Sequence, residues 1–205
     1  MSGLFAIVEK LYGIQIEELS GFDAWHPDVR LFQISENGAP VGRFFFDLYA
    51  RANKRGGAWM DGARDKRRAA SGELISPVAN LVCNFTPPVA TAAVNGKPAL
   101  LTHDEVTTLF HEFGHGLHGL LTQVKYSTFS GVDGPKDYTE FPSQLLEHWA
   151  DDPEVLAKYA KHYKTGEVIP LELVDKMNAA ATFNQGFKTT EYIAASLLDL
   201  RWHSL

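Results

Sequence analysis

The chain has 205 residues of ordinary globular composition, and its formal net charge of −6 argues against a general nucleic-acid-binding protein, because phosphate binding requires a basic face. The single cysteine, Cys83, excludes an internal disulfide framework and is typical of a reducing compartment. The amino-terminal apolar run is too short for a signal peptide or a membrane span, so we expect a cytoplasmic protein without a membrane partner.

The first fifty residues contain signals for a helix and a hairpin. Apolar residues recur at helical spacing over residues 4–12, and Gly13 follows as a typical helix stop. The dipeptide Asn37-Gly38 then stands between two apolar runs, which is the strongest short-range signal for a β-hairpin. We therefore predict a helix followed by a hairpin over residues 29–50.

The next segment, up to residue 98, has weaker signals. Residues 51–68 are basic and glycine-rich, which favours a loop. Residues 75–85 form a short apolar run that is typical of a strand. Residues 86–98 are predicted to connect this strand to the next element.

A longer helix is predicted to begin after Thr102. Seven apolar residues between Val106 and Leu121 recur with a period near 3.6. Thr102 and Glu105 have the spacing of a capping box, which satisfies backbone donors at a helix start. Residues 122–136 contain several turn-forming residues and are predicted to be a loop.

The rest of the chain is predicted to be helical. A second helix begins at about residues 137–139 and runs through Trp149, with Pro142 in or near its first turn, where a missing backbone donor is tolerated. Further helices are predicted at three places, from Pro153, from Pro170 and over residues 188–203. The expected fold is therefore mainly α (α+β), a single unit over residues 1–205 with a small β-sheet in its first half.

The motif that carries chemistry is His111-Glu112-Phe113-Gly114-His115, in the middle of the first long helix. Because residues i and i+4 lie on the same face of a helix, His111 and His115 can direct two imidazoles at one metal ion. Glu112 is then close to the metal yet free to take a proton from a water that zinc has acidified. The pattern is typical of a zinc metallopeptidase, and the alternative is a helix with surface histidines.

A catalytic zinc also requires a third protein ligand. The extended motif H-E-x-x-H-x-x-G-x-x-H is excluded, because the chain has His118 and Leu121 where that motif has glycine and histidine. The other common arrangement takes a glutamate from a second helix, and Glu140 is the preferred candidate, although it could instead serve only the helix dipole. Glu147, about two turns further on, could be the ligand, but we prefer it as an acceptor that orients a ligand imidazole.

Two segments are candidates for holding a peptide. Residues 79–85, beginning with Ala79 and Asn80, could be a sheet edge that offers backbone hydrogen bonds to an extended peptide, or equally a plain core strand. The glycine-containing loop around Ser130 and Gly131 could form a flexible wall of the cleft, or equally a solvated connection.

The stretches "FHEFGHGLHGLL" and "EFPSQLLEHW" closely resemble the thimet oligopeptidase and dipeptidyl carboxypeptidase family of zinc metallopeptidases, and are most similar to the bacterial dipeptidyl carboxypeptidases. The resemblance extends over the whole chain. It implies a zincin-like, gluzincin-type catalytic region in which His111, His115 and Glu140 bind one Zn²⁺ per chain and Glu112 is the general base.

The resemblance also implies an activity and a boundary. Family members hydrolyse short peptides, and the dipeptidyl carboxypeptidases release carboxyl-terminal dipeptides; the alternative within the family is internal cleavage. Members are several times longer, with a helical half before this region and a segment that contributes transition-state hydrogen bonds after it. We therefore expect residues 1–205 to be part of a catalytic domain, whose partners are peptides and the remainder of the enzyme, or a zinc-binding fragment without turnover.

Overall fold

The computed structural model describes residues 1–88 and 98–204, in two compact units, Met1–Tyr159 and Ala160–Leu205. Residues 89–97 of the predicted connection lie outside the described residues. The expectation of a single unit over the whole chain stays a prediction. Crossing a bilayer would need a longer apolar helix than any found in the described part of the chain.

The helices and strands divide between the two units in chain order. The first unit contains α1 (Ser2–Tyr12), β1 (Ile14–Leu19), β2 (Arg30–Glu36), β3 (Ala39–Tyr49), β4 (Trp59–Arg64), β5 (Arg67–Arg68), β6 (Leu74–Ile75), β7 (Val78–Phe85), α2 (His103–Leu120), α3 (Phe141–Glu147) and α4 (Pro153–Tyr159). The second unit contains α5 (Leu171–Ala181) and α6 (Gln185–His203). The expected α+β class is confirmed, with a small sheet in the first half of the chain.

The predicted hairpin is confirmed, because β2 and β3 pair antiparallel on either side of Asn37 and Gly38. Asn37 has φ 50° and Gly38 has φ 77°, as both central residues of a type I′ turn require. This turn matches the right-handed twist of the strands it joins. The first helix ends as predicted at Gly13, whose φ of 67° only glycine adopts without cost.

The main sheet has the strand order β1-β2-β3-β7-β4, in which β3 and β7 are parallel and the other neighbours antiparallel. Of the two alternatives for residues 79–85, the sheet edge is wrong and the core strand is found, because β7 is hydrogen-bonded to β3 on one side and β4 on the other. The predicted loop over residues 51–68 is also wrong in part. It contains β4 and β5, and β4 is one of the two edge strands of this sheet among the described residues.

Helix α2 packs against the sheet through a cluster of aromatic rings. Phe113 of α2 lies 5.2 Å from Phe44 and 5.8 Å from Phe46 between ring centroids, and all three side chains are buried. Each such burial contributes about 1.5–3 kcal/mol. Gly116 lets the helix approach β7, since a Cβ there would lie 3.2 Å from a methyl group of Leu81. The core therefore fixes the depth and rotation of the helix that carries the histidine motif.

A buried carboxylate anchors the chain between β3 and β4. Asp47 accepts hydrogen bonds from Trp25 Nε1 at 2.9 Å, from both terminal nitrogens of Arg51 and from Lys54 Nζ at 3.0 Å. Lys54 also donates to the carbonyls of Asp47 and Tyr49. Burial raises the pKa of the Asp47 carboxyl, but these donors outweigh burial and hold the pKa well below its ordinary value. The cluster ties the segment that leads into β4 to the sheet.

The predicted helices are present, although several of them begin or end a few residues away from the predicted positions. The Thr102–Glu105 capping box opens α2, and Pro142 lies in the first turn of α3, which ends at Glu147 and continues as a 3₁₀ turn over His148–Ala150. Pro153 is the first residue of α4, whereas Pro170 caps α5 rather than entering it. Such shifts of a few residues are expected, because helix ends depend on capping groups more than on the apolar period.

Candidate metal centre

Helix α2 places the two motif histidines on one face. His111 and His115 are one turn apart, and their ring centroids lie 4.9 Å from each other with the rings nearly perpendicular. His115 is 8% exposed, and burial lowers the pKa of its imidazole. The neutral form, which binds metal ions, is therefore favoured.

Glu140 comes to this face from the start of α3, where it is the residue before the first helical position. Its Oε2 lies 3.3 Å from Nε2 of His111 and 3.1 Å from Nε2 of His115. One ligand atom from each of the three residues lies within 4.8 Å of the others. The side chain of Glu140 is 52% exposed, so the cluster is open on one side.

The donor set and spacing fit a zinc ion. Zinc–ligand distances of about 2.0–2.2 Å in a tetrahedral site separate the ligand atoms by about 3.3 Å. The two measured separations, 3.3 and 3.1 Å, agree with that value. Two imidazoles and one carboxylate are also the ligand set of a catalytic site that keeps its fourth position open.

Glu112 lies beside the cluster but is not part of it. The residue is 6% exposed, and burial raises the pKa of its carboxyl. The charge of His111 and the backbone N–H of Met60 in β4 lower the pKa, while the charge of Glu140 raises it, and the net shift is upward. A carboxyl with a raised pKa is better matched to taking up and returning a proton near neutrality.

Glu147, at the end of α3, contacts the imidazole ring of His111. Its Oε1 lies 2.5 Å from Nδ1 of His111, the nitrogen opposite the one that faces Glu140. A carboxylate in this position fixes the tautomer of the imidazole and directs Nε2 at the metal. The geometry favours the orienting role over the alternative in which Glu147 is a ligand.

Sequence reasoning missed two residues that hold Glu140 in place. Ser143 is fully buried, and its hydroxyl donates to the backbone carbonyl and to Oε2 of Glu140. Gly114 lies where α2 and α3 touch, because a Cβ there would be 2.6 Å from the Cα of Ser143. The i+3 spacing of Ser143 from Glu140 was a weak signal, whereas no local signal marks Gly114 as a contact to another helix.

The residues predicted to hold substrate are brought together in part. Ala79, Ser130 and Gly131 line a cavity of about 270 Å³ whose other wall includes Met60 and further residues of β4. Asn80 does not line this cavity, and it is paired between β3 and β4 within the sheet. Asn80 therefore cannot bind a peptide through an open strand edge, contrary to the prediction from the sequence.

Gly131 sets the position of the loop in this wall. Its φ is 54°, and a Cβ there would lie 3.0 Å from the Cα of Gly119 in α2. The loop therefore rests with its backbone directly on the backbone of the helix, next to the cavity.

Several curated proteins are similar to this chain over nearly its whole length, and the chain matches less than a third of each of them. Oligopeptidase A of Escherichia coli (strain K12) is 50% identical over 206 residues, which cover 100% of this chain and 30% of that protein. Dipeptidyl carboxypeptidase of the same organism is 45% identical over 204 residues, which cover 99% of this chain and 29% of that protein. The organellar oligopeptidase A of Arabidopsis thaliana is 40% identical over 211 residues, 100% of this chain and 26% of that protein.

These matches include both branches of the family that the sequence resembles, oligopeptidase A and dipeptidyl carboxypeptidase. The chain spans about 30% of the length of the curated relatives that it matches. The higher identity to oligopeptidase A does not favour the dipeptidyl carboxypeptidase branch, and that finer assignment stays a prediction. A sequence model of peptidase family M3 matches residues 1–205, and the chain therefore belongs to this family of peptidases.

Proposed function

We propose that this chain hydrolyses peptide bonds in short peptides with one zinc ion bound by His111, His115 and Glu140. The observation that carries the proposal is the convergence of the three ligand atoms at separations that fit tetrahedral zinc. We include in the proposal a zincin-like, gluzincin-type arrangement, in which the third ligand comes from a helix after the histidine motif. A location in the cytoplasm belongs to the same proposal.

Glu112 is the general base in this proposal. When bound, zinc supplies a Lewis acid that acidifies water and polarises the scissile carbonyl. Glu112 takes the proton from the attacking water and then returns it to the leaving amine. Its burial supports the first step, because a raised pKa makes the carboxylate a stronger base, and it brings the pKa closer to neutral pH, where the carboxyl can both take up and return a proton.

The peptide is proposed to lie along β4. This strand is one edge of the described sheet, lies against α2 and places the backbone N–H of Met60 beside Glu112. An extended peptide can pair with such an edge through main-chain hydrogen bonds. Ala79, Ser130 and Gly131 would then contact its side chains from the cavity next to β4.

Two product patterns are open to this site. Release of carboxyl-terminal dipeptides is the first, and one relative carries that activity in its name. Internal cleavage is the second, and the higher identity to oligopeptidase A supports it. Mass spectrometry of a digested set of short peptides separates the two, because stepwise loss of two residues and internal fragments have different masses.

The test compares the wild-type chain with Glu112→Gln. Wild type should contain about one zinc per chain, as a catalytic site of this class does. Glu112→Gln should keep the zinc and lose hydrolysis by about 10²–10⁴-fold. A purified wild-type chain that is folded but contains no zinc would contradict the zinc assignment. Undiminished hydrolysis by Glu112→Gln would contradict the assignment of Glu112 as the general base. Zinc binding without turnover would mark a zinc-binding fragment that needs the remainder of an enzyme as its partner.

A further inference from the structure

Ser143 makes a bifurcated hydrogen bond to the third ligand. Its one hydroxyl hydrogen is shared between the backbone carbonyl of Glu140, the first bond at 2.9 Å, and Oε2 of the same residue, the second bond at 2.8 Å. The first bond is common for a serine in the first turn of a helix, where side chains satisfy local backbone groups. The second bond reaches the oxygen that lies between the two motif histidines.

Glu140 needs such a donor more than the histidines do. Its side chain is 52% exposed, whereas those of His111 and His115 are 26% and 10% exposed. Packing therefore restricts the imidazoles but leaves the carboxylate free to rotate towards solvent. A hydrogen bond from a fully buried hydroxyl restricts that rotation, because the side chain of Ser143 is enclosed by its neighbours.

The position of Ser143 is set by Gly114, one residue before His115. A Cβ at residue 114 would lie 2.6 Å from the Cα of Ser143 and 2.8 Å from the carbonyl oxygen of Pro142. The backbones of α2 and α3 are thus in direct contact at this point. The helix that carries two ligands holds the residue that orients the third.

We propose that Ser143 is a positioning residue for metal binding, which acts by holding Oε2 of Glu140 in the ligand position. This inference rests on the proposed zinc site. The hydroxyl then has a role beyond helix stability. Mutation of a group that hydrogen-bonds a metal ligand typically lowers metal affinity by about 10–100-fold.

The test measures zinc affinity of the whole chain by competition with a chromophoric chelator. Ser143→Ala removes the hydroxyl without adding an atom. Ser196→Ala is the matched control, because Ser196 also donates its hydroxyl to a backbone carbonyl, that of Tyr192 in α6. We expect Ser143→Ala to weaken zinc binding about 10–100-fold and Ser196→Ala to leave it unchanged.

A second arm shows whether Ser143 acts through Glu140. In a Glu140→Ala background the hydroxyl has no carboxylate to hold, so adding Ser143→Ala should change zinc affinity by less than about twofold. A merely structural role predicts the same loss in both backgrounds. Melting temperatures of the metal-free chains show whether each variant folds.

Three results would overturn the inference: unchanged zinc affinity in Ser143→Ala, an equal loss in both backgrounds, or a Ser143→Ala chain that does not fold without metal. Failure of the proposed function looks different, because the wild-type chain itself would then bind no zinc.

Discussion

Oε1 of Glu147 lies 2.5 Å from Nδ1 of His111, although 36 residues separate them in the chain. The contact joins the last residue of α3 to the middle of α2. Glu140 caps the other end of the same helix, so α3 has a carboxylate at each end that faces the histidines of α2. One carboxylate lies close to Nε2 of both motif histidines, and the other contacts Nδ1 of His111.

Replacing Glu147 by alanine should weaken zinc binding about 10–100-fold, because His111 loses the acceptor that fixes its ring. Glu154→Ala is the matched control, since Glu154 is an exposed carboxylate at the start of α4. Chelator competition on both variants measures the effect. Equal zinc affinity in the two variants would contradict the orienting role.

Gly114→Ala should separate α2 from α3 and weaken zinc binding at least about tenfold. The added Cβ would meet backbone atoms at 2.6 and 2.8 Å, and forced packing of this kind costs about 1–3 kcal/mol. Gly119→Ala on the same helix meets nothing within 4 Å. It should stabilise the chain by up to about 1 kcal/mol through helix propensity.

Urea unfolding and zinc titration of these two glycine variants give the comparison. Opposite signs of the stability change are expected. A Gly114→Ala chain as stable as Gly119→Ala, with wild-type zinc affinity, would mean that α3 tolerates a shift away from α2.

Asp47→Asn should lower the free energy of unfolding by about 3–5 kcal/mol at pH 7, because Lys54 and Arg51 lose their buried counter-charge. The folded-state pKa of Asp47 is depressed, so its contribution is complete above the unfolded value of about 3.9 and is lost as pH falls towards the folded value. The difference in the free energy of unfolding between wild type and Asp47→Asn should therefore decrease below about pH 4.

Unfolding curves at several pH values measure that difference, with Asp23→Asn as a control at an exposed aspartate. A gap between wild type and Asp47→Asn that stays constant from pH 7 to pH 3 would show that the charge of Asp47 does not carry the stabilisation.

Chelation should lower the melting temperature of the wild-type chain, and zinc should restore it. A ligand at a hundred times its dissociation constant stabilises the folded state by about 2.7 kcal/mol. The aromatic core between α2 and the sheet does not involve the metal cluster, so helical content should survive chelation below the transition. Calorimetry with and without chelator, repeated on His111→Ala, gives the test; a wild type that melts alike in both conditions would count against the site.

Much of the candidate site could be predicted from the sequence because its signals are local. The spacing of His111 and His115 defines one helical face, and the capping box before it defines where that helix begins. The hairpin turn at Asn37 and Gly38 is also encoded within two residues, through the backbone angles that those residues tolerate. Each of these predictions depends on neighbours a few positions away.

The tertiary structure alone decided that β4 is an edge strand of the sheet and that Ser143 contacts Glu140. Residues 59–64 have glycine and charges typical of a loop, and they become a strand because β7 provides hydrogen-bond partners for them. The same pairing places β7 inside the sheet rather than at its edge. Gly114 and Ser143 are ordinary residues until two helices meet, and their roles arise from a contact between backbones 29 positions apart. By itself the sequence determined that His111 and His115 share one face of a helix with Glu112 beside them, because helix periodicity is local, whereas the packing of α3 on α2 decided how Glu140 reaches the two imidazoles.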